Sequence, residues 1–324
     1  MAQGTVTTDP SLLSNPRSER VRSVRSLGRR AVRQRVGRFV VEGPQGVREL
    51  LQHAGHAAQD LYLTPAAAER HTDIVALAEG LGDGRGSTVD QTRPVSQSGG
   101  LRIWQCTDEV LAAMTDTPHP QGMIAVAEPV DVPLEEALAA VAALAAGATE
   151  SPRTSLATGA DRVTSATAGA APLSHPFVVV LTNVRDPGNA GTVLRAADAF
   201  GAAAVLVSDA SVDIYNPKVV RSTVGSLFHL PVSVGTPVPE LLAACRDAGL
   251  RVLAADGAGE TSLPDVDLSV PHAWVMGNEA WGLEPEVRAL CDDVVSIPIV
   301  RAESLNLAMA ATVCLHASAT ATGR

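Results

Sequence analysis

Aromatic side chains are scarce in this chain: four Phe, three Trp and two Tyr among 324 residues, 3% of the total. A binding surface built from many stacked rings is therefore not expected. The cores must be aliphatic, in keeping with a hydrophobic content of 46% rich in Ala, Val and Leu. Cysteine is sparse too. Cys106, Cys245, Cys291 and Cys314 stand far apart, in no CxxC or Cys/His spacing, which argues against a disulfide framework and a zinc site; no metal is expected. Missing as well is any apolar run of roughly 18 residues, the length of a membrane span. The opening MAQGTVTTDPSLLSNP lacks the charged-then-apolar layout of a signal peptide. No membrane association is expected, and the cytoplasm is the expected location.

Positive charge is short overall. The formal net charge of −10 argues, taken alone, against a polyanionic partner, but the average hides the distribution. Between Arg17 and Arg38 lie nine arginines and a single acid, Glu19. That stretch can meet phosphates, or it can be a solvated helix face.

Length favours two domains. Residues 1–17 read as a flexible leader. From Ser18 the spacing of Val21, Val24, Leu27 and Val32 predicts an arginine-studded amphipathic helix. Strand-like pieces at 38–43, 61–63 and 124–127, with helical stretches between, make residues 18–128 a small α/β domain. Residues 129–175 are dominated by Ala, Thr, Ser and Gly and read as a linker with an insertion, its first part helical. From Phe177 the pattern changes to continuous apolar runs (FVVVL, AVLVS, LRVLAA, HAWVM, DVVSI) alternating with helical segments. That alternation predicts a parallel α/β sheet over 176–324.

Ligands in open α/β sheets bind beyond the carboxyl ends of the strands, so the loops there carry the chemistry. The first, Arg185-Asp186-Pro187-Gly188-Asn189-Ala190-Gly191, matches neither a G-x-G-x-x-G dinucleotide turn nor a phosphate-binding G-x-x-x-x-G-K-[ST]. With Thr192-Val193-Leu194-Arg195 it resembles the first motif of the SpoU (TrmH-like) family of SPOUT-class RNA 2′-O-ribose methyltransferases. Trp274-Val275-Met276-Gly277-Asn278-Glu279-Ala280-Trp281-Gly282-Leu283 is similar to the second motif. Ser296-Ile297-Pro298-Ile299, followed by Glu303-Ser304-Leu305-Asn306-Leu307-Ala308, is similar to the third. RQRVGRFVVEG (33–43) and TDTPHPQGMIAV (115–126) resemble stretches of the family's small RNA-binding domain, which is similar to certain ribosomal proteins.

The resemblance implies a SPOUT fold with a carboxyl-terminal trefoil knot, S-adenosyl-L-methionine (AdoMet) as cofactor, and a homodimer with the cofactor pocket beside the subunit interface. Gly277, Gly282 and Gly257 would let the backbone approach an adenosine, with Met276, Asn278 and Glu279 in the same loop. Ile297, Pro298 and Leu305 would form the apolar slot and its rim. Ser304 and Asn306 would face ribose, phosphate or the first loop, although an N-cap serine with an asparagine in the first turn needs no substrate. Glu279 is open between organising the glycine-rich loop, facing the partner subunit and plain solvation.

Arg195 would contact the target nucleotide, with Asn189 helping to orient the hydroxyl. A guanidinium holds its proton to beyond about pH 12, which suits charge stabilisation better than base catalysis. Arg30, Arg33, Arg35 and Arg38, and beside the active site Lys218 and Arg221, would grip RNA phosphates. The function implied is 2′-O-methylation of RNA, with ribosomal RNA of the large subunit favoured by the amino-terminal domain. A tRNA 2′-O-methyltransferase and a non-catalytic RNA-binding or ribosome-assembly protein of the same fold are the alternatives.

Overall fold

The computed structural model describes residues 12–81, 100–145 and 175–321. The chain divides into two compact units: Met1–Val130 with Asp213–Phe228, and Asp131–Val212 with His229–Arg324.

In the first unit, α1 (Glu19–Ser26) and α2 (Arg30–Val36) replace the single helix expected from Ser18. Arg33 explains the break. Its Nη1 donates to the carbonyls of Leu27 and Gly28, both at 2.8 Å, satisfying end-of-helix acceptors that a continuous helix would use itself. There follow β1 (Phe39–Glu42), α3 (Pro44–Ala54), β2 (Ala58–Leu63), α4 (Pro65–Arg70), α5 (Thr72–Leu81), β3 (Arg102–Gln105), α6 (Asp108–Met114) and β4 (Met123–Ala127). The sheet order is β1-β4-β2-β3, with β4 antiparallel to both neighbours and β2 parallel to β3. Val21 and Val24 of α1, with Leu27 just after it, join Val110, Leu111 and Met114 of α6 over Tyr62, Ile124 and Val126 of the sheet. Part of the expected leader is ordered here: Leu13 donates to Gln105 O and accepts from Thr107 N, at 2.9 and 3.0 Å. Residues 1–11 lie outside the described residues.

The second unit opens with α7 (Leu134–Ala145), the helix expected in the first part of 129–175, here packed into the core rather than running as a linker. Ala and Leu favour helix, and Ala137, Leu138 and Val141 are buried in this unit's core. Residues 146–174 lie outside the described residues. Next come β5 (Phe177–Leu181), α8 (Pro187–Phe200) and β6 (Ala204–Ser208). The following stretch, 213–228 with α9 (Pro217–Thr223), groups by its contacts with the first unit. The Tyr215 ring stands 4.5 Å from that of Phe39, and Asp213 pairs with Arg33.

The chain resumes the second unit with β7 (Val232–Thr236), α10 (Val238–Asp247), β8 (Arg251–Ala255), β9 (Thr261–Ser262), β10 (His272–Met276), α11 (Pro285–Ala289), β11 (Asp293–Ser296) and α12 (Leu307–Ala321). All seven strands are parallel, in the order β7-β6-β5-β10-β8-β11-β9. The continuous apolar runs are explained by burial on both faces. One face packs Val178, Val180, Val252 and Val275 against Leu241 and Leu242 of α10 and against α7; α8 and α12 pack together on the other.

On that second face His272, fully buried, stacks on Phe177 with ring centroids 5.7 Å apart. Its Nδ1 lies 2.8 Å from Val270 O and its Nε2 2.7 Å from Ser318 Oγ, while Trp274 Nε1 donates to the same Oγ at 2.8 Å. A neutral imidazole closes this chain: Nδ1–H donates to the carbonyl, and Nε2 accepts from the hydroxyl. Burial pulls the imidazole down from 6.5 to about 4. Between those values the unfolded chain binds a proton that the fold does not, so stability falls as pH drops through that window. The loss is on the order of 3 kcal/mol. Denaturant unfolding at pH 7.5 and pH 4.5 should show this loss in the wild type and a smaller one in His272→Gln.

Candidate active site

The parallel arrangement sets the carboxyl ends of β5, β10, β8 and β11 side by side, and the loops leaving them are the three quoted motifs plus the turn after β8. In the first loop Asp186 caps α8, accepting from Asn189 N at 2.8 Å, and Pro187 fills the first helical position. Just before it, Asn183 takes a left-handed conformation, φ 54°, which asparagine tolerates better than most residues.

The second loop is a tight hairpin. Asn278 N donates to Gly282 O at 2.8 Å and Gly282 N returns to Asn278 O at 2.9 Å. Two glycines make this possible. Gly282 has φ +70°, and a Cβ on Gly277 would lie 2.4 Å from the backbone of Gly282. Asn278 is committed to structure, its Nδ2 donating to Asn183 O at 2.7 Å and its Oδ1 accepting from Ala280 N at 2.8 Å. Met276 is buried, and its carbonyl accepts from Thr182 N and Oγ1. Gly257 differs from the motif glycines: a Cβ there meets nothing within 4 Å.

Glu279 ties the second loop to the first. Its carboxylate accepts from Arg185 N at 3.1 Å, Asp186 N at 3.0 Å and Asn189 Nδ2 at 3.3 Å. Of the three readings open for this residue, the structure shows it organising a loop, and the loop is the first rather than its own. A negative charge at the start of α8 is also favoured by the helix dipole. Asn306 completes the connection, donating from Nδ2 to Asn189 Oδ1 at 3.1 Å. Asn306, not Ser304, caps α12, its Oδ1 accepting from Ala308 N and Met309 N at 2.9 and 3.4 Å. Ser304 and Pro298 are exposed, and Ile297 and Leu305 are half-buried beside them. Arg195 is exposed on α8 and, among the described residues, has no hydrogen-bond or ion-pair partner.

One organising residue escaped the sequence reading. Asp256, at the carboxyl end of β8, accepts from Leu283 N at 3.2 Å, Ala258 N at 2.9 Å and Arg288 Nη1 at 3.2 Å, bracing the glycine hairpin from behind. An acid directly after a buried parallel strand was the signal available.

The arginines expected to hold RNA divide. Arg33 is corrected: only 5% exposed, it spends its guanidinium on Asp213 and on the carbonyls of Leu27 and Gly28. Arg30 and Arg35 are exposed and Arg38 is half-buried. Lys218 is exposed on α9, and Arg221 pairs with Glu42 at 2.9 Å, both within the first unit. All four cysteines are free, and burial pushes each thiol up to about 12, so none is poised as a nucleophile.

Known proteins place this arrangement. Residues 176–316 match the family model of the SpoU rRNA Methylase family, and residues 18–125 match that of the MRM3-like substrate binding domain. The chain thus carries a SpoU-family methylase domain behind an MRM3-like substrate-binding domain. It is 41% identical over 152 residues to a 23S rRNA (uridine(2479)-2′-O)-methyltransferase of Streptomyces viridochromogenes, covering 45% of this chain and 53% of the relative. It is 38% identical to an uncharacterized tRNA/rRNA methyltransferase of Mycobacterium avium (strain 104), covering 48% and 50%. The chain spans about half the length of these curated relatives.

Among solved structures, the SpoU methyltransferase AviRb from Streptomyces viridochromogenes in complex with AdoMet superposes with a TM-score of 0.66 at 25% identity, over 94% of this chain and 98% of that one. The AdoMet-bound rRNA methyltransferase from Sinorhizobium meliloti shares the fold, with a TM-score of 0.70 at 23% identity over 94% and 96%.

The steric contrast between two glycines is testable. Gly277→Ala should destabilise the second unit by about 1–3 kcal/mol, because the clashing atoms are backbone. Gly257→Ala should stay within about 1 kcal/mol of the wild type. Chemical denaturation of the two variants side by side measures both.

Proposed function

We propose that the protein transfers a methyl group from AdoMet to a ribose 2′-hydroxyl of RNA, and that this RNA is ribosomal, from the large subunit. The observation that carries the reading is the relay Asn306–Asn189–Glu279, which joins the three loops at the carboxyl edge of the sheet. The named activity of the Streptomyces viridochromogenes relative and the AdoMet-bound AviRb structure support it.

The residues present fit the cofactor. Ile297 and Leu305 offer a half-buried apolar slot next to Pro298, in a stretch, 297–306, that is neither helix nor strand and so leaves backbone groups for an adenine edge. The open space at Gly257 and the hairpin from Met276 through Gly277, Asn278 and Glu279 to Gly282 complete the cradle. AdoMet supplies, when bound, a methyl group activated by sulfonium charge.

The chain's own contribution is positioning. Glu279 fixes the start of α8 and the Asn189 amide. Asn189, Asn306 and Ser304 orient the ribose. Arg195 takes the adjacent phosphate and stabilises negative charge developing on the 2′-oxygen. Exposed Arg30 and Arg35, with Arg38, Lys218 and Arg221, hold more distant phosphates. The trefoil knot implied by the resemblance belongs to the same reading.

The active form is a homodimer, in the cytoplasm where ribosomes are. Helix α12 is apolar around much of its circumference, and Met309 and Val313, one turn apart, are 62% and 39% exposed. Such a face is expected to be covered by a partner. No helix among the described residues is long and apolar enough to cross a membrane. In sedimentation analysis the wild type should run as a dimer and Met309→Glu should shift toward monomer.

Incubation with radiolabelled AdoMet and unmodified total ribosomal and transfer RNA tests the chemistry, with label mapped by resistance to alkaline cleavage. Label at a ribose of large-subunit RNA is expected, and Arg195→Ala should lower the rate by roughly 10²- to 10³-fold. Label confined to transfer RNA, or AdoMet binding without transfer, would refute the reading.

A further inference from the structure

Sparse as aromatics are, the first unit sets a half-buried Trp104 beside a fully buried Tyr62, and along them lies a cleft of about 710 Å³. The paired strands β2 and β3 place Tyr62 opposite Trp104 and Asp60 opposite Arg102. The two rings are stacked, with centroids 6.5 Å apart and planes 15° from parallel. From α1, Arg20 lays its guanidinium over the Trp104 ring, 3.8 Å from its centroid. Asp60, 5% exposed, locks the group: Trp104 Nε1 donates to it at 2.8 Å, Arg102 at 2.7 Å, and Arg20 stands 4.0 Å away. Tyr62, with its hydroxyl held neutral by burial and by the Asp60 charge, pushed up to about 12, stays a donor.

This assembly is rigid on one side and open on the other. The Arg20 and Arg102 side chains are each 35% exposed, and the cleft they line also carries Arg38, Ser18 and Ser23. The Asp60 carboxylate is spent on its neighbours, so apart from the exposed Glu19 at the cleft's edge the charged groups lining it are the donors Arg20, Arg38 and Arg102. A volume between about 300 and 1,000 Å³ suits a ligand of nucleotide size. Planar groups stack on guanidinium as they do on indole. The exposed Arg22 and Arg25 on α1, Arg29 between the helices and Arg30 on α2 extend the positive surface away from the cleft.

We propose that this cleft takes one unpaired nucleobase of the substrate RNA, stacked on the Arg20–Trp104 pair with its phosphate on Arg38 or Arg102. The proposal rests on the reading of the substrate as RNA. It gives the first unit a preference for single-stranded or bulged RNA over continuous duplex, since only an unstacked base can enter.

The test uses the full chain with a labelled 12-nucleotide single-stranded RNA and the same sequence in a duplex. The single strand should bind more tightly. Arg20→Ala, and Ser23→Trp as a plug set on the exposed face of α1, should each weaken single-strand binding about tenfold and leave duplex binding unchanged. Both variants should melt with the wild type. RNA carrying 5-iodouracil should crosslink to Trp104, the half-buried ring of the pair. Crosslinks that fall only elsewhere, or variants that bind the single strand as the wild type does, overturn the cleft while leaving the RNA reading intact. Failure of the wild type to bind either RNA overturns both.

Discussion

A single carboxylate ties together the loops of the candidate site. Glu279 accepts three hydrogen bonds, two from backbone amides at the start of α8 and one from the Asn189 side chain, and each of those donors lies on a loop other than its own. Charge-assisted bonds to backbone amides are stronger than neutral ones, and they set the position of α8 relative to the glycine hairpin. Arg195 is on the same helix, and Asn306 reaches the same relay through Asn189. The hairpin that carries Glu279 is in turn held by Asn278, Gly277 and Asp256. A mutation at any of these is expected to act on the geometry of the whole edge, so its effect should not add simply to that of a neighbour.

Much of the second unit was legible in the sequence, because burial on both faces forces long unbroken apolar strands. FVVVL and HAWVM are such runs, and they became adjacent central strands β5 and β10. Their adjacency was not legible. Nothing local tells a parallel strand its neighbour, and β10 lies between β5 and β8 only because of how the helices pack. The motif residues were found by type and spacing, but their tasks were not: Asn278 and Met276 are occupied within the protein, and the capping of α12 passed to Asn306. Asp256 went unnoticed because its partners are backbone and a distant arginine.

In the first unit the readable signal was charge, and charge misled once. Arg33 looks like its neighbours in sequence yet is buried, since its spacing on α2 turns it toward carbonyls at the end of α1 and toward an aspartate 180 residues away. The low aromatic content pointed away from stacking surfaces. Composition averages over the chain and says nothing of which two rings β2 and β3 bring side by side.

The return of residues 213–228 to the first unit bears on how this protein can be taken apart. A fragment ending at Val130 would lack Asp213, leaving the buried Arg33 guanidinium without its counter-ion, and it would lose the Tyr215 and Phe228 rings that pack on Phe39. Stranding a buried charge costs about 3–5 kcal/mol, a large share of what a small domain has. A fragment that stops at Val130 is therefore expected to be less stable than the same residues in the full chain. The residues that supply these contacts follow β5, α8 and β6 in the chain.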